Sequence, residues 1–110
     1  MAGMLYLVPT PIGNLGDISK RARETLESAD FIAAEDTRVT LKLLNHLELK
    51  KPLVSYYEHN KSFKGEKILD RILAGETCAL VSDAGSPAIS DPGEDLVKQC
   101  AAAGIPVCAI

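Results

Sequence analysis

The alternation of short apolar runs with helical patterns constrains this chain more than any other feature. Five runs have the length of a strand: "MLYLV" (4–8), "DFIAAED" (30–36), "PLVSY" (52–56), "TCALVS" (77–82) and "IPVCAI" (105–110). A segment with helical periodicity lies between each run and the next. Short continuous apolar strands that alternate with amphipathic helices are typical of a parallel sheet covered by helices on both faces. The pattern predicts a three-layer α/β/α fold with a mainly parallel five-stranded sheet.

Apolar residues between these runs recur at spacings of three and four, which predicts four helices. Asp17 or Ser19 is placed to cap the first helix, Gly75 to end the third and Gly104 to end the fourth. The predicted apolar stripes of the first three helices are Ile18, Ala22, Leu26 and Ala29; Thr40, Leu43, Leu44 and Leu47; and Ile68, Leu69, Ile72 and Leu73.

Length and composition narrow the class of protein. With 110 residues and 46% hydrophobic content, the chain is one domain or part of one, and its apolar runs are much shorter than a membrane span. "MLYLV" has no basic lead or cleavage site, so we expect no signal peptide. The chain stops at Ile110, inside an apolar strand, which predicts that it is the N-terminal part of a longer protein, whose C-terminal domain is absent here.

The charge and the cysteines suggest where the protein works and what it binds. A net charge of −3 gives no general footprint for nucleic acid, so basic surface for an RNA partner would have to be local. The three cysteines form no C-x-x-C pair and lie in apolar or alanine-rich segments. They are interpreted as buried reduced thiols, which fits a cytoplasmic protein.

Polar segments follow the first four strands, at 9–17, 35–38, 56–61 and 82–93. In sheets of this kind, ligands bind outside the carboxyl ends of the strands. The loop 82–93 is twelve residues long, against about 2–6 for most such connections. Ser82 and Asp83 at its start suit a small polar ligand, whereas Asp91 is interpreted as a helix cap. These segments predict one site at one edge of the sheet.

The turn "VPTPIGNLGD" (8–17) invites comparison with a dinucleotide-binding loop. Gly13 and Gly16 have the right spacing for the last two glycines of that fingerprint. However, Pro9 and Pro11 stand where its earlier glycines would be, and proline offers no N–H to a pyrophosphate. The turn is therefore expected to shape a ligand site of another kind; a purely structural turn is the alternative.

Two further segments carry candidate catalytic groups. In "AAEDTR" (33–38), one of the adjacent acids Glu35 and Asp36 is expected to pair with Arg38, or the segment caps the next helix through Asp36 or Thr37. The functional alternative is a carboxylate that faces the cleft and orients a substrate hydroxyl or acts as a base. In "SYYEHNK" (55–61), His59 is either a surface residue or a catalyst beside the same cleft. The other histidine, His46, lies near a helix C-terminus. A favourable contact with the helix dipole explains its position, and it is assigned no function. No motif with metal-ligand spacing occurs.

With these segments in hand, the chain resembles the tetrapyrrole (corrin/porphyrin) methylase family. The resemblance rests on "VPTPIGNLGDIS", "AAEDTR", "YYEHN", "LVSDAGSPAISDPG" and "AAAGIPVCAI", in this order and spacing. It implies an S-adenosylmethionine-dependent methyltransferase with the cofactor between two α/β domains, and a homodimer. The order of motifs is most similar to members that methylate a cytidine ribose of 16S ribosomal RNA at its 2′-hydroxyl, so ribosomal RNA or the small ribosomal subunit is the expected partner.

The resemblance also implies roles for individual residues. Those implied to border the cofactor are Pro11 and Ile12, and those implied to form the wall beside it are Ser82, Asp83, Ala84, Gly85 and Ser86. Glu35, Asp36 and Arg38 would lie on the substrate side. Asp36 is the first candidate base and His59 the second. Tyr57 stands where the family commonly has a second histidine, so the family's role for that position does not carry over to it. A fragment without the second domain is expected to be inactive.

Three alternatives stay open at this point. The chain could methylate a tetrapyrrole or another small molecule, although such enzymes are expected to carry a G-D-P-type tripeptide in place of Ser82-Asp83-Ala84. It could be a nucleotide-binding oxidoreductase, against which the Pro9-x-Pro11 turn argues. It could also be a non-catalytic domain that only dimerises, which cofactor binding by the intact protein would exclude.

Overall fold

Strands and helices alternate along the whole described part of the chain, as the sequence predicts. A computed structural model describes residues 3–9, 15–56, 61–82 and 93–110. The strands are β1 (Leu5–Pro9), β2 (Phe31–Ala34), β3 (Leu53–Ser55), β4 (Cys78–Ser82) and β5 (Val107–Ala109). The helices are α1 (Lys20–Ser28), α2 (Thr37–His46), α3 (Lys61–Leu73) and α4 (Gly93–Ala102), and a 3₁₀ turn (Leu15–Asp17) precedes α1.

The five strands form one parallel sheet in the order β3-β2-β4-β1-β5. The predicted α/β class and parallel sheet are confirmed. The order itself does not follow from the sequence pattern, because alternation fixes which elements exist but not which strands become neighbours. β4, fourth in the chain, lies between β1 and β2, so the sheet is built around it.

The two faces of the sheet carry separate apolar cores, because successive residues of a strand point to opposite faces. On β4, Leu80 belongs to the core with α3 and α4, and Val81 belongs to the core with α1 and α2. The helix residues of the first core are Ile68, Ile72, Leu96 and Cys100, and those of the second are Ala22, Leu26, Leu43 and Leu44. The structure is therefore a three-layer α/β/α arrangement.

The helix ends follow the signals in the sequence. Ser19, and not Asp17, caps α1: its Oγ accepts the backbone N–H of Ala22 at 3.1 Å. Gly75 and Gly104 follow α3 and α4 with φ of 110° and 77°, a left-handed conformation that glycine adopts most readily. Leu73 departs from the predicted stripe of α3 and is 45% exposed, since it stands in the last position of the helix.

The cysteines are free thiols, and two of the three are buried as predicted. Burial raises the pKa of Cys78 to about 12 and that of Cys100 to about 11. The prediction is wrong for Cys108, which is only partly buried, because β5 is an edge strand that pairs with β1 alone in the described sheet.

At the amino-terminal edge of the sheet, Arg71 covers the core that β4 shares with α3 and α4. Its guanidinium packs on the ring of Phe31 at 3.8 Å from the centroid. Its Nε and Nη2 donate to the two carboxylate oxygens of Glu76, both at 2.9 Å. These hydrogen bonds lower the pKa of the Glu76 carboxyl.

Candidate functional site

The carboxyl ends of the strands meet at one edge of the sheet. The parallel register sets Pro9 opposite Ser82, the last residues of β1 and β4. On the other side of β4, Ala34 lies opposite Val81 and, across the next pair, opposite Ser55. The polar segments that the sequence singles out begin at Pro9 and Ser82 and directly after Ala34 and Ser55. The structure therefore brings their starting points together, as predicted.

Beside β4, the central strand, the connections run to opposite faces of the sheet. The chain leaves β4 toward α4 on one face, whereas it leaves β1 and β2 toward α1 and α2 on the other face. Adjacent strands whose connections run to opposite faces leave a crevice between them, and this is where ligands bind in open α/β sheets. The topology therefore predicts a ligand crevice on each side of Ser82, one toward Pro9 and one toward Ala34.

Asp36 lies beside the second crevice and caps helix α2. Its Oδ1 accepts the backbone N–H of Arg38 at 3.0 Å and the side-chain Nε of Arg38 at 3.4 Å. The hydrogen bonds from the Arg38 side chain and backbone lower the pKa of the Asp36 carboxyl. The carboxylate is therefore a good hydrogen-bond acceptor and a weak proton acceptor. Of the two roles that the sequence left open for a carboxylate in this segment, the structure therefore shows the helix cap and the contact with Arg38.

Glu35 and Arg38 complete this segment. Glu35 is exposed in the bend between β2 and α2, and the Arg38 side chain is 90% exposed even though its Nε contacts Asp36. Two carboxylates and a guanidinium are thus available within four residues at the edge of the crevice. Such a set can accept hydrogen bonds from ribose hydroxyls and can bind an anion through the guanidinium.

Of the remaining predicted site residues, only Ser82 belongs to the described part of the chain. Ser82 is described as the last residue of β4. The others lie outside the described residues: Pro11, Ile12, His59, Asp83, Ala84, Gly85 and Ser86.

Two buried residues close to this edge carry polar groups that the sequence analysis did not assign to the site. Tyr56, directly after β3, is 1% exposed, and its backbone N–H donates to the Ala34 carbonyl at 2.9 Å. Thr40, one turn into α2, is also 1% exposed, and its Oγ1 has no hydrogen-bond partner in the described structure. The apolar neighbours of Thr40 in the α2 stripe predicted its burial, but no local signal predicted that its hydroxyl would be unpaired.

The described part of the chain shows neither a metal-binding cluster nor a membrane-spanning helix. It holds no group of three or more His, Cys, Asp or Glu residues that could bind a metal ion. None of its helices has the length and apolar content that crossing a membrane requires.

Comparison with known proteins decides the family. The model of the Tetrapyrrole (Corrin/Porphyrin) Methylases matches residues 4–110, nearly the whole chain. The chain belongs to this methylase family. The resemblance drawn from the sequence motifs is thereby confirmed.

Relatives within the methylase family share more than half of their aligned residues with this chain. A protein of Synechocystis named ribosomal RNA small subunit methyltransferase I is 55% identical over 105 residues, which are 96% of this chain and 38% of that protein. A protein of the same name from Halalkalibacterium halodurans is 59% identical over 105 residues, 96% of this chain and 36% of that protein. The chain thus spans little more than a third of the length of these relatives.

Solved structures confirm the fold at lower identity. A crystal structure of diphthine synthase superposes with a TM-score of 0.77 at 14% identity, over 98% of this chain and 43% of that one. Uroporphyrin-III-C-methyltransferase from Thermus thermophilus superposes with a TM-score of 0.75 at 20% identity, over all of this chain and 47% of that one. The fold is that of the class III S-adenosylmethionine methyltransferases.

Proposed function

We propose that this chain is the N-terminal α/β domain of an S-adenosylmethionine-dependent methyltransferase that methylates a cytidine ribose of 16S ribosomal RNA at its 2′-hydroxyl. One observation carries the proposal: relatives that are 55–59% identical over 96% of this chain are named ribosomal RNA small subunit methyltransferases. The tetrapyrrole enzymes that share the fold stand at 20% identity, which favours RNA over a small-molecule substrate. We also propose that the full-length protein is a cytoplasmic homodimer.

The proposed cofactor site lies at the carboxyl ends of β1 and β4. Pro11 and Ile12 would border S-adenosylmethionine, and its ribose and methionine parts would contact the segment Ser82–Ser86. Support comes from the crevices that the topology predicts on both sides of Ser82 and from the donor set, since serine, aspartate and backbone groups suit hydroxyl and amino-acid moieties. The prolines after β1 fit a ligand that has no phosphate.

When bound, S-adenosylmethionine supplies a methyl group activated by its sulfonium charge. Transfer of this methyl group to the ribose 2′-oxygen would leave the cofactor as a thioether, and residues of this chain would orient the ribose and accept the hydroxyl proton. Alignment of the reacting groups can contribute about 7–11 kcal/mol, whereas a positioned base contributes about 10²–10⁴-fold in rate. The chief task proposed for this chain is therefore to orient the ribose, through Glu35, Asp36 and Arg38.

Asp36 and His59 are the proposed bases, in that order. The lowered pKa of Asp36 weakens its driving force as a base at neutral pH, while its hydrogen bonds to Arg38 fix its position. Asp36→Asn separates the two roles, because asparagine caps a helix about as well as aspartate but accepts no proton. If Asp36 is the base, Asp36→Asn in the full-length enzyme should lower turnover about 10²-fold or more near neutral pH.

The measurement combines two assays on the full-length protein. Calorimetry gives its affinity for S-adenosylmethionine, and methyl transfer to small ribosomal subunits or to 16S ribosomal RNA gives turnover. Unchanged turnover in Asp36→Asn would remove Asp36 as the base and leave its capping role. Absence of cofactor binding by the wild-type protein would refute the methyltransferase proposal as a whole.

A further inference from the structure

The first turns of three helices carry basic residues and no acidic ones. The first four residues of α1, α2 and α3 include three, one and two Lys or Arg residues, respectively, and none of these turns contains Asp or Glu. Helix α4 has the opposite pattern, with Glu94 and Asp95 in its first turn.

The basic pattern works against helix stability. The helix dipole places partial positive charge at the N-terminus, so acidic side chains are favoured there and basic ones are disfavoured. Helix α4 follows this rule, and α2 has the Asp36 carboxylate at its N-cap, in contact with Arg38. The first turns of α1 and α3 do not follow it. Helix stability therefore does not explain why basic residues stand in the first turns of α1 and α3.

These turns all lie at the candidate site. Each helix starts after the carboxyl end of a parallel strand, so α1, α2 and α3 begin at the same edge of the sheet. For α3, a Cβ built on Gly65 would lie 3.5 Å from the ring of Tyr56, the residue after β3. The basic side chains therefore stand around the edge where Ser82 ends β4.

One basic side chain from each helix is available at this edge: Arg23, Arg38 and Lys64. Arg23 and Arg38 are exposed, and Lys64 is partly exposed. Acidic groups are also present at this edge. Asp36 contacts Arg38, the exposed Glu35 and Glu66 lie nearby in the chain, and Glu94 and Asp95 stand in the first turn of α4. Neither Arg23 nor Lys64 forms an ion pair with another described residue.

An aromatic side chain completes the arrangement. Phe63, in the first turn of α3, is 61% exposed, and the Lys67 ammonium lies 4.5 Å from its ring centroid. An exposed aromatic ring among cationic side chains can stack a base while the cations contact the backbone of a single strand.

We propose that Arg23, Arg38 and Lys64 contact phosphates of the RNA strand that flanks the methylated nucleotide, and that Phe63 stacks on one of its bases. This inference rests on the proposed function and identifies the surface that the RNA uses. It also gives an RNA substrate a local set of basic side chains on a domain of net charge −3.

The test measures RNA affinity of the full-length protein as a function of salt concentration. Each phosphate contact contributes about 0.7–0.9 to the slope of log K against log[salt], so the triple variant Arg23→Gln, Arg38→Gln, Lys64→Gln should lose about two units of slope or more. Phe63→Ala should weaken RNA binding about 5- to 150-fold.

Each variant has a matched control. For the basic residues it is the double variant Lys50→Gln, Lys51→Gln, which lies before β3 at the opposite edge of the sheet. For Phe63 it is Leu73→Ala, at the far end of α3. Both controls should leave RNA binding unchanged.

Affinity for S-adenosylmethionine serves as the folding control. If the triple variant does not fold, Lys64→Gln alone should still reduce the slope by about 0.7–0.9. An unchanged salt slope in a variant that binds the cofactor, with a wild type that methylates RNA, would overturn this inference and leave the proposed function standing. Loss of dimerisation without loss of RNA affinity would also overturn it and assign the surface to a protein contact. A wild-type protein that binds the cofactor but not RNA would refute the proposed function itself.

Discussion

Replacing Gly65 by alanine should stabilise the protein, although Gly65 is buried where α3 packs against α4. A Cβ at this position would meet the Gln99 Oε1 at 3.4 Å, the Tyr56 Cε1 at 3.5 Å and the Gln99 Nε2 at 3.6 Å. These are ordinary van der Waals distances, and two of the three atoms belong to the end of a flexible side chain. The added methyl group therefore fits without displacing the backbone.

The expected gain follows from helix propensity. Glycine in a helix interior costs about 0.5–1 kcal/mol relative to alanine, chiefly through the entropy of the unfolded chain. Burial of the methyl group adds at most about 0.8 kcal/mol. A total of about 0.5–1.5 kcal/mol should raise the urea midpoint by about 0.3–0.7 M for a slope m of about 2 kcal/mol/M.

Urea unfolding followed by far-ultraviolet circular dichroism measures this midpoint, and Gly104→Ala is the control. A Cβ on Gly104 would have no atom within 4 Å, but its φ of 77° is unfavourable for alanine. Gly104→Ala should therefore destabilise the protein, by about 1 kcal/mol. A lower midpoint for Gly65→Ala would mean that α3 and α4 are in closer contact than these distances indicate, and would refute the reasoning.

Two further predictions concern ionisable groups. Because Arg71 lowers the folded-state pKa of Glu76, the pair stabilises the protein above the ordinary pKa of 4.5 and loses this effect as pH falls through the folded value. Glu76→Gln should accordingly lose less stability than the wild type between neutral and acid pH in urea titrations, and equal losses would contradict the assignment. Labelling of the native protein with a thiol reagent near pH 8 should modify Cys108 first, because burial raises the pKa of the other two thiols. Faster labelling of Cys78 would show that its core opens readily.

The periodicity of the sequence predicted which elements form, and the structure confirms them. The stripe of α2 is buried at Thr40, Leu43, Leu44 and Leu47, because one face of an amphipathic helix has to cover the sheet. The order of the strands could not be predicted from the sequence, because it depends on how the connecting helices cover the two faces of the sheet. The exposure of Cys108 was missed for the same reason: an apolar strand looks alike in sequence at the centre and at the edge of a sheet.

The candidate site was predictable in position but only partly in chemistry. Polar segments after strands had to gather at one edge once the sheet was parallel. Whether Asp36 would cap α2 or face the crevice could not be decided, because both roles suit an aspartate just before a helix. The geometry that separates them, two hydrogen bonds from Arg38, depends on the local path of the chain.

The central place of β4 has a consequence for how the chain folds. In the described sheet, β1 pairs only with β4 and β5. Leu5 therefore cannot pair with another strand until Cys78 has been synthesised. During synthesis, β2 and β3 can pair early, whereas β1 remains an exposed apolar segment until more than half of the chain has emerged. Long-range parallel pairing of this kind is slow and prone to aggregation. A nascent chain that stalls before β4 is therefore the form of this protein most in need of a chaperone.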